Sequence, residues 1–174
     1  KHQLPEFYIY PKFSKLRPPN FPTIRLSQLA SLYHQNQNLF SKLINAKTID
    51  EIYKLFQKVK ASEYWEQRFN FGKISTVYGE KTLTTDFIEL ILINAILPVK
   101  YAYHKNTNED IPDEILTIYQ HISPEKNTII EQWKDLHLKP KNALESQSLL
   151  FHYRNYCAKK ECLRCSIGVR LMNT

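Results

Sequence analysis

The chain has 174 residues, 43% of which are hydrophobic, and a formal net charge of +7. This length suits one domain or two small ones, and the apolar content is sufficient for a core, which excludes a disordered protein. With only three glycines, the chain is also poorly suited to a many-stranded fold with tight hairpins or to a glycine-rich phosphate loop.

The first 22 residues are rich in proline and aromatic side chains. Five of the nine prolines lie here, interleaved with Phe7, Tyr8, Tyr10, Phe13 and Phe21. Because proline lacks a backbone donor and blocks helix formation, we expect residues 1–22 to form an extended arm. Its aromatic side chains would be buried either on the body of the protein or in the groove of a partner.

Residues 23–174 are predicted to form an irregular single-domain bundle of eight or nine helices. The first helix begins near Pro22, where apolar residues start to recur at positions i, i+3, i+4 and i+7. Its predicted inward face consists of Leu26, Leu29, Ala30 and Tyr33. The predicted fold class is therefore all-α, with the proline-rich arm laid on the surface of the bundle.

The other helices follow from capping residues and periodicity. They are predicted over residues 38–45, from Thr48, over 62–70, over 85–103, from Pro112, from Pro124, from Asn142 and over 161–172. The helices that open at Thr48 and Asn142 each carry a glutamate three residues later, which is the spacing of a capping box. Residues 70–84 are predicted to be a loop with a short strand at Val77–Tyr78, and the domain could be subdivided there.

The most apolar stretch, residues 85–103, is predicted to be the central helix, because it is hydrophobic on nearly every side. Pro98 should kink this helix. Asn94 should be buried and bonded to a neighbouring helix or loop, because a buried amide needs partners. The longest apolar run, residues 87–99, contains Glu89 and is too short to span a bilayer.

Charge is distributed unevenly along the chain. Residues 1–60 carry a net charge of +7, residues 61–133 carry −5, and residues 134–174 carry +5. One interpretation is that the basic ends form a patch for nucleic acid. The other is that they dock on the acidic middle, or that lysine only solvates the surface.

The three cysteines of the chain, Cys157, Cys162 and Cys165, lie within nine residues and have the spacing C-x4-C-x2-C. A C-x2-C pair is typical of metal sites, so zinc or an iron–sulfur cluster is one interpretation. The run is also similar to the cluster loop of helix-hairpin-helix DNA glycosylases, but it lacks their fourth cysteine. The alternative is that small thiols pack the last two helices together.

A metal bound by these cysteines would need a fourth ligand, which His152 could supply. On a helix, however, the offset of five residues turns His152 away from Cys157. The nearby cations Lys159, Lys160 and Arg164 are expected to lower the thiol pKa values, which would favour the thiolate form that binds metal.

Two basic regions are candidate anion sites. Arg17 and Arg25 flank the start of the first helix, where free N–H groups and the helix dipole attract phosphate or carboxylate. The alternative for Arg25 is an ion pair with an acidic residue of the middle segment.

The second basic region lies near the C-terminus, where cations alternate with aromatic residues, a pattern that suits phosphate contact and base stacking. Its predicted contact residues are Lys139, Lys141, Arg154, Lys159, Lys160 and Arg164. The neighbouring residues Phe151, Tyr153 and Tyr156 are predicted to lie instead on the inward face of their helix.

Three stretches, residues 17–32, 91–103 and 139–168, carry a resemblance to a known family. They include Arg-Pro-Pro-Asn-Phe-Pro-Thr-Ile-Arg, Ile-Leu-Pro-Val-Lys-Tyr-Ala-Tyr and Glu-Cys-Leu-Arg-Cys-Ser-Ile-Gly. Together they resemble the C-terminal half of an uncharacterised bacterial family, seen mainly in Bacteroidetes, the domain of unknown function 2851. The resemblance implies a cytoplasmic bacterial protein and no established activity, substrate or cofactor. It also implies a further N-terminal half, so we expect the chain, which begins with Lys1, to be a fragment.

No catalytic motif is present: the sequence has no G-x-S-x-G, H-E-x-x-H or Walker motif. Catalytic residues are therefore not predicted. The leading hypothesis is a non-catalytic module that docks nucleic acid or the missing N-terminal half of its own protein.

Two alternatives stay open. One is a subdomain of a nucleic-acid-processing enzyme whose catalytic residues lie outside this chain, and the other is a small zinc or iron–sulfur module. No other cofactor and no membrane partner is predicted. An odd number of cysteines without a secretory leader favours a reducing compartment, in agreement with a cytoplasmic location.

Overall fold

A computed structural model describes residues 12–13, 16–107 and 110–173 of the chain. These residues are mostly helical, which confirms the predicted fold class. The α-helices among them are α1 (Pro22–Gln35), α2 (Leu39–Asn45), α3 (Ile49–Phe56), α4 (Thr85–Ile91), α5 (Leu97–Asn106), α6 (Glu114–His121), α7 (Thr128–Asp135), α8 (Ala143–His152) and α9 (Ser166–Met172). None of them is both long and apolar enough to cross a membrane.

Shorter elements join these helices. The 3-10 turns are Pro18–Asn20, Glu63–Trp65 and Cys162–Arg164, and the π-turns are Leu92–Ile96 and Tyr153–Cys157. Strands β1 (Arg68–Asn70) and β2 (Lys73–Ile74) form a two-stranded antiparallel sheet. The turn between the strands contains Gly72 at φ +70°, a left-handed conformation that glycine adopts without a steric penalty.

The described residues pack as two compact units. The first consists of the residues up to Lys42 together with Tyr53–Ile88, and the second consists of Leu43–Ile52 together with the residues from Glu89 onward. In the first unit, Ile24, Ala61 and Trp65 form a buried cluster against which Phe21 and Phe69 pack. The predicted boundary at residue 23 and the subdivision near residues 70–84 stay predictions.

Most of the predicted N-terminal arm lies outside the described residues. Its described part is not fully extended, because Pro18–Asn20 forms a 3-10 turn directly before α1. The ring of Phe13 meets the ring of Phe21 edge-on, with centroids 5.0 Å apart. This contact ties the end of the arm to the buried cluster of the first unit.

The predicted inward face of α1 is wrong. Leu26, Leu29, Ala30 and Tyr33 are all exposed, whereas Ile24, Gln28 and Leu32 are buried. Gln28 can be buried because both ends of its amide are bonded: Nε2 donates to Lys81 O at 2.9 Å, and Oε1 accepts from Arg25 Nη1 at 2.8 Å. Apolar periodicity could not find this face, because a polar residue lies at its centre.

The prediction of a helix over residues 62–70 is also wrong, and so is the prediction of a strand at Val77–Tyr78. The first segment is the 3-10 turn Glu63–Trp65 followed by β1, and Val77 and Tyr78 are exposed outside the sheet. Backbone bonds from Ser75 N–H to Gln67 O (2.7 Å) and from Gly79 N–H to Glu66 O (3.1 Å) fold this segment back on itself. These non-local bonds override the helical spacing of its aromatic residues.

The apolar stretch at residues 85–103 is helical as predicted, but it is not buried on every side. Leu92, Ile93 and Leu97 are buried, whereas Leu90 and Val99 are nearly half exposed. The π-turn Leu92–Ile96 runs directly into α5, so Pro98 lies within a continuous helix. The carbonyl oxygen of Ile93, five residues before Pro98, accepts from the hydroxyl of Tyr119 at 3.2 Å.

The predicted burial of Asn94, within this π-turn, is wrong. The side chain is exposed, and its Nδ2 donates to Leu90 O, four residues earlier in the same stretch, at 3.0 Å. Its amide therefore finds a backbone partner nearby and does not bond a neighbouring helix.

Lys100 on α5 is buried, with only 3% of its surface exposed. Its ammonium group donates to the carbonyl oxygens of Ile44 and Ala46, each at 2.5 Å, at the C-terminal end of α2. The last carbonyls of a helix lack partners within the helix and attract cations. Lys100 thus caps α2 from within the second unit, a role that the sequence did not indicate.

The predicted capping boxes are confirmed at the starts of α3 and α8. Thr48 Oγ1 accepts from Glu51 N–H at 3.3 Å, and Asn142 Oδ1 accepts from Glu145 N–H at 3.0 Å. In both, the glutamate carboxylate accepts from the residue before the cap. By contrast, α7 begins four residues after Pro124 and is capped by Asn127.

Candidate functional site

Most of the predicted site residues lie on the segment that links α8 to α9. The π-turn Tyr153–Cys157 continues α8, and the chain then reverses at Lys160, which has φ +57°. Backbone bonds from Lys160 N–H to Cys157 O (3.1 Å) and from Glu161 N–H to Tyr156 O (3.0 Å) hold the reversal. The loop therefore returns Cys162–Arg164 toward the end of α8.

The three thiols of this loop are free and differ in exposure. Cys165 is buried, whereas Cys157 and Cys162 are exposed. Cys165 Sγ lies 3.4 Å from His152 Nε2. Among the described residues, no three His, Cys, Asp or Glu side chains are grouped in a way that could hold a metal ion. The structure thus brings together one thiol and one imidazole.

The chain between His152 and Cys157 is not the regular α-helix that the sequence argument assumed. In an α-helix, residues five apart point about 140° away from each other, because each residue turns the chain by about 100°. Here the chain beyond His152 is a π-turn, in which Ala158 N–H donates to Tyr153 O, five residues earlier, at 2.8 Å. This wider turn reduces the angle between positions five apart.

The imidazole of His152 packs against two aromatic rings. The ring of Trp133 on α7 lies 5.8 Å away between centroids, and that of Tyr156 lies 5.1 Å away. Trp133 is half-buried, and its Nε1 is a buried donor without a hydrogen-bond partner among the described residues. These ring contacts fix the orientation in which His152 meets Cys165.

The pKa of the Cys157 thiol is raised above its ordinary value. Desolvation is the main cause, and the neighbouring Cys165 and Cys162 sulfurs add to it. The expectation that the surrounding cations lower thiol pKa values is thus wrong for Cys157. Because the thiolate is the reactive form, the raised pKa lowers the reactivity of Cys157 in this conformation.

Gly168 on α9 makes a close approach to the cysteine loop. A Cβ atom at this position would lie 2.4 Å from Cys162 O, far inside van der Waals contact. Only glycine therefore allows α9 to pack on the backbone of the C-x2-C turn without a shift.

The predicted cations of the C-terminal region are all exposed. They are Lys139, Lys141, Arg154, Lys159, Lys160 and Arg164. Arg164 pairs with Glu161 at 3.0 Å, and Lys159 Nζ lies 3.4 Å from Asn155 Oδ1. None of the other four lies in an ion pair with another described residue. Four of the six cations lie within the eleven residues from Arg154 to Arg164, beside a single carboxylate.

Aromatic and apolar side chains accompany these cations. Phe151 is 64% exposed and Leu163 is 79% exposed, whereas Tyr153 and Tyr156 are half-buried. The predicted inward position of Phe151 is therefore wrong. Lys139 also lines an open, mostly apolar groove of about 430 Å³ beside α8.

Arg25 is not paired with an acidic residue of the described chain. Its guanidinium donates to Gln28 Oε1 and Asn20 Oδ1 and stacks on the ring of Phe87, 3.4 Å from the centroid. Burial lowers the pKa of this guanidinium. The ion pair considered for Arg25 is therefore replaced by two neutral acceptors and an aromatic face.

Arg17, the other cation of the predicted anion site, is exposed. The start of α1 offers few donors to an anion, because Pro22 has no N–H and the N–H of Ile24 is bonded to Phe21 O at 3.0 Å. The geometry of the described residues thus gives the N-terminal site little support.

Comparison with known proteins identifies the family of this chain without identifying its activity. No curated protein and no solved structure matches the chain. The sequence profile of one family, described as "Protein of unknown function (DUF2851)", matches residues 1–128. The first two stretches that carried the resemblance lie inside this range, and the third, at residues 139–168, lies outside it. The chain therefore belongs to the DUF2851 family of proteins of unknown function.

Proposed function

We propose that residues 139–170 bind the sugar-phosphate backbone of a nucleic acid, and that the protein is a non-catalytic docking module. The observation that carries the proposal is the exposure of Arg154, Lys159 and Lys160 on the segment that links α8 to α9, without carboxylate partners among the described residues. Unpaired, hydrated cations release counterions from phosphates when they bind, and this release supplies most of non-specific affinity.

The exposed apolar side chains favour a single strand over a duplex. Phe151 precedes Arg154 by three residues, and both side chains are exposed. An exposed ring beside a cation can stack on an unpaired base while the cation contacts the adjacent phosphate. A duplex would leave Phe151 and Leu163 without apolar partners.

Fluorescence anisotropy tests the proposal with the complete chain and a labelled single-stranded DNA of 20 nucleotides, with RNA and duplex DNA for comparison. If four cations contact phosphates, the affinity for single strands should fall roughly 50-fold between about 50 and 200 mM salt. An affinity that does not change with salt, or no binding at all, would contradict the proposal. It would favour the docking of another protein segment, which is the alternative that the sequence suggested.

A charge-matched pair of variants separates a local site from net charge. The triple change Arg154→Gln/Lys159→Gln/Lys160→Gln should reduce the slope of log affinity against log salt by about 2. The control Lys54→Gln/Lys105→Gln/Lys126→Gln removes three exposed lysines elsewhere and should leave the slope nearly unchanged. Equal effects of the two variants would show that binding follows net charge and would refute this location.

A further inference from the structure

We propose that a groove in the first unit binds a proline-rich peptide segment of a partner protein, with one cationic side chain near the prolines. The groove runs between α1 and residues 60–65. It consists of two adjoining depressions, of about 590 Å³ and about 740 Å³, that share Ser27, Ser62 and Tyr64. The proposal does not depend on nucleic-acid binding, which we assign to residues of the second unit.

The groove has the length of a short extended peptide. On α1 it is lined by residues that recur at the spacing of one helix face, namely Thr23, Leu26, Ser27, Ala30, Ser31 and His34. The helix rises by about 17 Å from the first to the last of them, at about 1.5 Å per residue. Because a polyproline II (PPII) segment advances by about 3.1 Å per residue, about five residues of such a segment fit along the groove.

One end of the groove has an aromatic wall. The buried ring of Trp65 meets the rings of Tyr64 and Phe71 edge-on, at 5.0 Å between centroids in both pairs. Tyr64 is 41% exposed and Phe71 is 73% exposed, and Leu26, which lines the same end, is 61% exposed. Grooves that recognise PPII segments are lined by such exposed rings, on which proline side chains pack. This end of the groove therefore suits the prolines of the partner.

Three hydroxyl groups of the groove are available as hydrogen-bond donors. Ser27 Oγ accepts from Ser62 N–H at 3.0 Å, and Ser31 Oγ accepts from the side chain of Gln35 at 3.1 Å. The Tyr64 hydroxyl accepts from a backbone N–H at 3.4 Å. None of the three donates to another described residue, so each keeps its proton for a ligand. A PPII segment has carbonyl oxygens without internal partners, and its prolines have no N–H that would need an acceptor. These donors therefore match a proline-rich segment.

The charge of the groove favours a cationic peptide over a nucleic acid. Glu63 lines the groove, is exposed and forms no ion pair with another described residue. Among the described residues of the lining, Lys60 is the only lysine or arginine, and it pairs with Glu80. A phosphate in the groove would be repelled by Glu63, since like charges that face each other exclude a partner. A lysine or arginine of the peptide would instead pair with this carboxylate.

The experiment selects a phage-displayed library of random dodecapeptides on the complete chain. The selected peptides should share prolines and a lysine or arginine. The tightest of them, synthesised with a fluorescent label, is then the probe for anisotropy measurements. Replacing its cationic residue by glutamate should weaken binding at least about fivefold. If no peptide is enriched, or if the enriched peptides lack proline, the proposal is overturned.

Matched variants locate the binding site of this probe. Phe71→Ala should weaken binding at least about tenfold, whereas Phe151→Ala, at an exposed ring of the second unit, should have no effect. Glu63→Gln should weaken binding about threefold, and only for a peptide that keeps its cation. Asp135→Asn, at another exposed carboxylate, is the control for net charge. Binding that is unchanged in Phe71→Ala would place the peptide outside the groove and contradict the proposal.

A competition experiment separates the peptide from a nucleic acid as the occupant. The single-stranded DNA of 20 nucleotides should not displace the peptide, because its phosphates would face Glu63. The measurement is repeated with Arg154→Gln/Lys159→Gln/Lys160→Gln, which removes the cations of the other site. Displacement of the peptide by DNA in this variant would show that the groove itself binds nucleic acid, and the proposal would be wrong.

Discussion

Two groups of cations in the second unit lack carboxylate partners among the described residues, yet their surroundings are opposite. Lys100 is 3% exposed, and its ammonium group is bonded to two backbone carbonyls at the end of α2. Lys159 and Lys160 are exposed, and neither forms an ion pair with a described residue. The first lysine contributes to folding, whereas the other two are available to a ligand.

The comparison shows that the role of a lysine without an acidic partner cannot be inferred from the sequence alone. A buried ammonium must be satisfied by the protein itself, because desolvating an unpartnered charge is costly. An exposed ammonium is satisfied by water and gives up that water and its counterion to a phosphate. Burial therefore decides whether a cation acts on stability or on binding, and three variants can separate the two.

The largest effect is expected for Lys100→Ala. It removes the donors from two carbonyls and leaves a cavity, so the free energy of unfolding should fall by about 3 kcal/mol in urea denaturation. Lys105→Ala, at an exposed position of the same helix, should change the free energy of unfolding by less than about 0.5 kcal/mol. Equal effects of the two changes would remove the contrast between buried and exposed lysines.

The pH dependence of stability provides a second test of Lys100. Desolvation lowers the pKa of Lys100 in the folded protein, whereas the unfolded chain keeps the ordinary value. Between these two values the unfolded state binds more protons, so the stability should rise as the pH increases.

This rise should be absent from Lys100→Met, which keeps the volume of the side chain without its charge. The measurement is the difference in unfolding free energy between the two proteins from neutral pH to about 10, near the ordinary lysine pKa. A difference that stays constant with pH would show that Lys100 does not titrate abnormally.

The smallest effect on stability is expected for Lys159→Gln/Lys160→Gln. Both side chains are exposed, so the free energy of unfolding, measured by thermal denaturation, should change by less than about 0.5 kcal/mol. The same variant should nevertheless weaken binding to single-stranded DNA, because two phosphate contacts are lost. A large loss of stability would mean that these lysines contribute to the fold, as Lys100 does.

Local signals predicted the helical part of the fold well. The capping boxes at Thr48 and Asn142 depend only on side chains within four residues of each other, and the structure confirms both. The helix at residues 85–103 was also visible from its apolar composition. Such features need no knowledge of distant parts of the chain.

Non-local contacts account for what the sequence did not predict. The buried face of α1 depends on Gln28 bonding Lys81, fifty-three residues away. The burial of Lys100 depends on carbonyls at residues 44 and 46. A periodicity argument counts glutamine and lysine as outward-facing, so it could not find either.

The cysteine region was only partly predictable. The last helix was predicted over residues 161–172, with Cys162 and Cys165 on it, whereas α9 begins at Ser166 and all three thiols lie before it. The contact of His152 with Cys165 was missed, because the sequence argument considered only the offset between His152 and Cys157 and not the reversal at Lys160, which returns Cys165 to the end of α8. A π-turn has no signature in composition, and its presence changes which residues share a side of the helix.

The other π-turn, Leu92–Ile96, has a consequence for how this segment can evolve. Its hydrogen-bonded ring contains one residue more than an α-helical ring, so it acts as a built-in insertion within an otherwise continuous helix. Five residues of a π-turn rotate the chain about as far as four residues of an α-helix, so deleting one of the five would leave the rotational phase of α5 nearly unchanged. Lys100 would still face Ile44 and Ala46, so this segment can lose one residue without losing that contact.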